Sequence, residues 1–136
     1  MKKRIQFIID ELLKENFITV KEDDNVIILE ENEEGGESRL KFKTKSSNTM
    51  TIDKKHTEMY FFKDTSKFSM YKRVDHIIMD NVDIQNNKWD IYLIEMKSNI
   101  ADNTWMEVKG KFRASYLFIK AFAAMIEINI NNVYMY

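Results

Sequence analysis

The chain has 136 residues, 44% hydrophobic and 12% aromatic, with a formal net charge of −1. That composition supports a single domain over residues 1–136 with a sizeable core, and excludes disorder throughout. With no cysteine there are no disulfides and no thiolate metal sites, and no apolar run approaches the ~20 residues of a membrane span.

Met1-Lys2-Lys3-Arg4 is basic, but no apolar signal core follows it, so the expectation is a cytoplasmic protein with no secretory signal and no membrane partner. The near-neutral total hides a segregation. Glu22 to Glu37 carries eight acids and no base, whereas Arg39 to Arg73 carries ten bases against three acids. Such asymmetry suits an anionic partner on one face; solvated strand faces and turns account for it equally well.

Lys2 to Asn16 places Ile5, Ile8, Ile9, Leu12 and Leu13 at helical spacing, which predicts an amphipathic helix stopping near Asn16. Phe17 to Val20 and Asn25 to Glu30 read as strands around an Asp23-Asp24-Asn25 turn, and Gly35-Gly36 reads as a hairpin loop. Arg39 to Lys45 alternates cations with Leu40, Phe42 and Thr44, predicting a half-exposed strand with a cationic face. Ser46-Ser47-Asn48 marks a loop, and Thr57 to Phe62 fits either a strand or a short helix. Val74 to Met79 and Trp89 to Lys97 read as buried strands, joined by the polar stretch Asp80 to Lys88 and paired antiparallel.

After a loop, Asn103 or Thr104 can cap a helix running to about Glu127, with Met106, Phe112, Ile119, Phe122 and Ala123 as its core stripe. Ile128, Ile130, Val133 and Tyr134 predict a last strand. The order implies an α/β (α+β) fold, a mixed central β-sheet flanked by helices as in an α/β/α sandwich.

The second buried strand ends in charge. Glu95 and Lys97 follow the apolar run Ile91 to Ile94 and, two residues apart, point to one side of the strand. If the two strands are hairpin neighbours, Asp75 lies beside Glu95. Two carboxylates make a hard-cation site for Mg²⁺ or Mn²⁺, and a lysine beside them can orient water or stabilise charge on a phosphate. The alternative for Glu95 and Lys97 is an exposed ion pair, worth ~0–1 kcal/mol.

The run Val74-Asp75-His76-Ile77-Ile78, then a polar turn, then Tyr92-Leu93-Ile94-Glu95-Met96-Lys97-Ser98 resembles the PD-(D/E)XK nuclease superfamily. The resemblance covers about Val74 to Glu127, and the compact size is similar to that of Holliday-junction resolvases. It implies a restriction-endonuclease-like core and a metal-dependent nuclease that hydrolyses phosphodiester bonds, most naturally in DNA. Asp75 and Glu95 are then the metal ligands and Lys97 the catalytic lysine. Glu11 is the nearest candidate for the acid that the first helix often adds. Val74 stands where the motif has proline, and Lys111, Arg113, Ser115 and Tyr116 occupy the helix where RecB-like members carry glutamine and tyrosine.

Lys109, Lys111 and Arg113 on that helix, with Lys72 and Arg73, are candidate phosphate contacts. Asp80, Asp83 and Asp90 read as turn residues, with Asp80 replacing Asp75 if the strand register differs. His76 reads as a core or rim histidine, and His56 as solvated. Cutting both strands of a duplex calls for a homodimer, or the chain is a subunit of a larger complex. The alternative function is a catalytically inactive protein of the same fold, serving as a nucleic-acid-binding or protein-assembly module.

Overall fold

The computed structural model describes residues 1–33, 36–52, 71–96 and 102–136. Helix α1 (Lys3–Leu12) buries Ile5 and Ile8 and ends before the left-handed Asn16 (φ 60°), a conformation that asparagine tolerates. Strand β1 (Ile18–Lys21) follows, then the hairpin of β2 (Val26–Glu33) and β3 (Gly36–Lys43). Strand β4 (Thr49–Ile52) precedes β5 (His76–Asp83) and β6 (Lys88–Ile94). The long helix α2 (Asp102–Met125) leads into β7 (Asn129–Met135).

Five strands form one mixed sheet in the order β1-β4-β5-β6-β7, antiparallel except for the parallel β6–β7 pair. The parallel pairing follows from the α2 crossover, since parallel neighbours need a connection long enough to carry the chain back. β2 and β3 make a separate two-stranded sheet. The mixed sheet and the α+β class agree with the pattern of the sequence.

The layers differ from a helix-flanked sandwich. Both helices pack on one face, where Ile5, Ile8, Phe118, Ile119 and Phe122 meet Ile77, Met79, Ile91 and Leu93. The opposite face belongs to the hairpin, whose Ile27, Leu29 and Phe42 meet Ile78, Tyr92 and Ile94. The continuous apolar runs of β5 and β6 fit burial on both faces but carry no information about which element covers which side. β3 keeps Arg39, Lys41 and Lys43 exposed, so its cationic outer face is as expected.

The α2 stripe also shifts. Met106 is 68% exposed and Phe112 is half-buried, while Val108, Ala114, Ser115, Phe118, Ile119, Phe122 and Ala123 are buried. Strand β4 lay in the least legible stretch; its Thr-Met-Thr-Ile alternation, with Met50 and Ile52 buried, is the signal that marks it. The expected element over Thr57 to Phe62, His56, the Gly35 end of the hairpin loop and Lys97 fall outside the described residues. No helix among the described residues is long and apolar enough to cross a membrane.

Candidate active site at the end of β5 and β6

The β5–β6 ladder ends with His76 opposite Ile94. Asp75 and Glu95 are the next residue on each strand, so the same register sets them opposite one another just beyond the last rung. Alternation puts them on the side of Ile77 and Leu93, which is the helix side. The Met96 N–H donates to Asp75 Oδ2 (2.9 Å), and the Glu95 N–H donates to the Tyr136 carbonyl (2.9 Å). These bonds fix the chain as it leaves the sheet.

The Glu95 side chain is only 3% exposed and forms an ion pair with Lys111 Nζ at 2.9 Å. Lys111 reaches it from α2, at a position between the buried Val108 and Ser115. Burial pulls the Lys111 ammonium down, but the hydrogen bond to Glu95 and the charges of Glu95, Asp75 and Glu107 outweigh it, and the pKa rises above its ordinary value. Lys111 is therefore a fixed cation beside both carboxylates. Its signal in the sequence was a lysine spaced within the buried stripe of α2, between Val108 and Ser115.

The other expected site residues are scattered. Glu11 is exposed on α1, and among the described residues no group of three or more acids and histidines converges as a metal site. Lys109 is exposed, with its ammonium 6.0 Å from the Trp105 ring centroid; Lys72 and Arg113 are exposed as well. Arg73 is not a surface contact. It is 7% exposed, its guanidinium lies 4.1 Å from the Phe118 ring centroid, and burial, partly offset by Tyr71, lowers its pKa to about 10. His76 is a rim residue, with Nε2 3.3 Å from Glu31 Oε1 on the hairpin side.

Asp80 and Asp90 are not turn residues. They face each other across β5 and β6, on the hairpin side, and are fully buried. Asp80 accepts the N–H groups of Lys45 (2.8 Å) and Ser46 (3.2 Å) and the Ser46 hydroxyl. Asp90 accepts from Lys45 Nζ and Asn131 Nδ2, both at 2.9 Å. Only Asp83 fits the turn reading, accepting from the Asn86 N–H (3.1 Å) and Nδ2 (2.8 Å). Because Asp80 faces the hairpin and Asp75 the helices, the two are not interchangeable.

The donor chemistry at the sheet end fits a hard divalent cation: two carboxylates on facing strands, with water or phosphate oxygens completing the shell as Mg²⁺ sites commonly allow. No protein-family model, no curated protein and no solved structure matches the chain.

Proposed function

We propose that the chain is a metal-dependent nuclease with a PD-(D/E)XK-like, restriction-endonuclease-like core, acting on phosphodiester bonds in DNA. One observation carries this reading: Asp75 and Glu95 meet at the same end of two adjacent antiparallel strands, on the face packed by α2. The β6–α2–β7 crossover after Glu95 is in keeping with such a core. Mg²⁺ or Mn²⁺ bound there supplies Lewis acidity and a water of lowered pKa. Asp75 and Glu95 hold the cation, their positions set by the strand ladder and the Met96–Asp75 bond. Lys97, two residues past Glu95, is assigned to orienting water. Lys109 and Lys72 lead into this end of the sheet and meet the phosphate backbone as exposed cations.

The test is cleavage of DNA and RNA substrates of varied structure with Mg²⁺ or Mn²⁺, comparing wild type with Asp75→Asn and Glu95→Gln. Loss of a charged ligand is expected to lower cleavage by at least about a hundredfold, the scale of removing one electrostatic stabiliser from a site. Equal activity in the three proteins overturns the assignment. The Lys111–Glu95 ion pair favours a second reading, because a carboxylate neutralised by its own chain needs no metal. On that reading the protein is a nucleic-acid-binding or assembly module of the same fold. Retained DNA binding without cleavage or Mn²⁺ binding selects it.

A further inference from the structure

Lys111 stands where a bound cation would neutralise the two carboxylates. Its ammonium is 2.9 Å from Glu95 Oε1, its side chain is 15% exposed, and the charges of Asp75 and Glu107 also act on it. The helix that carries it is anchored on both sides of this position by Val108 and Ser115, so its stem starts from a fixed point. The Glu95 side chain is 3% exposed. An incoming divalent cation meets a carboxylate already committed to a buried partner.

We infer that Lys111 is the resident cation of the site, and that a divalent metal and the Lys111 ammonium compete for Glu95, so that loading the metal releases Lys111 from the carboxylate. This rests on the reading of Asp75 and Glu95 as metal ligands. The exchange breaks one N–H···O bond to Glu95 Oε1 and forms one metal–oxygen bond; Lys111 keeps its proton, so no proton transfer is required. Lysine suits the role, being a compact charge on a flexible four-carbon stem that can swing away. Two ligands that exclude one another at one group weaken each other's binding by the same factor. The competition sets a threshold: without metal, Lys111 neutralises the buried carboxylate; with metal, Lys111 becomes a mobile cation beside the site. Held in place, the ammonium would both repel the cation and occupy one of its donor atoms.

Mn²⁺ binding to the full chain, followed by the electron paramagnetic resonance of free Mn²⁺, tests this on wild type, Lys111→Met, Lys111→Arg and Glu95→Gln. Lys111→Met is expected to bind Mn²⁺ about ten- to a hundredfold more tightly, the equivalent of one hydrogen bond to a charged group. Lys111→Arg keeps the charge and stays close to wild type, which also guards against a methionine variant that folds poorly. Glu95→Gln loses the site. A second measurement needs no variant: acylation of Lys111 by an amine-reactive reagent, mapped by mass spectrometry, should rise several-fold when Mg²⁺ is added. Glu95-dependent Mn²⁺ binding that is unchanged or weaker in Lys111→Met overturns the competition while leaving the metal site standing. Unchanged acylation overturns the release of Lys111. No Glu95-dependent binding in any protein overturns both the competition and the metal site.

Discussion

Strands β5 and β6 carry two cross-strand carboxylate pairs, Asp75 with Glu95 and Asp80 with Asp90, on opposite faces of the sheet. The Asp80 and Asp90 pair is built into the chain. Asp80 takes two backbone N–H groups and a hydroxyl from the link between β3 and β4, so it holds the hairpin to the sheet. Asp90 takes the Lys45 ammonium and an asparagine amide from β7. Backbone donors cannot leave without moving the fold. Asp90 and Glu95 each take a lysine ammonium, from Lys45 (side chain 59% exposed) and Lys111 (15% exposed), so the difference in kind is between these two and Asp80, which backbone donors hold. Buried carboxylates alone do not mark a site; whether their partners can be exchanged is the more telling property.

The largest effect should come from breaking the inner pair. Asp90→Ala removes the acceptor of the Asn131 amide and of the Lys45 ammonium, which keeps Tyr134 Oη and solvent, so a loss of about 1–3 kcal/mol is expected. Chemical denaturation measures it through the midpoint. Glu95→Gln, which keeps the size of the side chain and one acceptor oxygen for Lys111, should cost less stability while removing metal binding. If Glu95→Gln destabilises more than Asp90→Ala, the rim pair is the structural one and the comparison reverses.

A smaller effect comes from acid. Burial pushes the Asp90 carboxyl up, but hydrogen bonds from Lys45, Asn131 and Asn132 outweigh it and hold its pKa below the ordinary value of 3.8. A depressed folded-state pKa means that stability is present above the unfolded value and is lost as pH falls through the folded one. The denaturation midpoint of wild type should therefore fall more steeply than that of Asp90→Asn as pH drops through the ordinary carboxylate value of 3.8 and below it. Parallel pH profiles would remove Asp90 from the account of acid sensitivity. Lys45 adds to the contrast, since Asp90 and Tyr134 raise its pKa and keep it charged throughout this range.

Much of this frame was legible in the sequence. The apolar runs of β5 and β6 with a polar turn between them sufficed for the hairpin, and a hairpin register is enough to set Asp75 opposite Glu95. The two-faced burial of those runs could not say that a hairpin rather than a helix covers one side, because both bury the same residues. Asp80 and Asp90 were misread for a related reason: aspartate is common in turns, and each lies near the polar stretch between the strands. Their donors come from the link between β3 and β4 and, for Asp90, from β7 as well, both distant in sequence. In the sequence Lys111 is one cation among several on α2, and its commitment to Glu95 depends on how the helix lies on the sheet. Arg73 was read as a phosphate contact by charge alone, whereas packing against Phe118 places it below the surface.

The smallest expected effect decides which face meets a polyanion. Lys109 lies two residues before Lys111 on α2 and is exposed, whereas Lys41 is exposed on the outer face of the hairpin, on the Asp80 and Asp90 side. If DNA follows the rim, Lys109→Ala should weaken binding evenly across sequences and reduce the salt-dependence slope by about 1, while Lys41→Ala leaves both unchanged. Fluorescence anisotropy over a range of salt concentrations measures the two slopes. A change confined to Lys41→Ala would move the nucleic-acid face to the hairpin, where the inner carboxylates are tied into the fold, and would separate binding from the carboxylate pair assigned to catalysis.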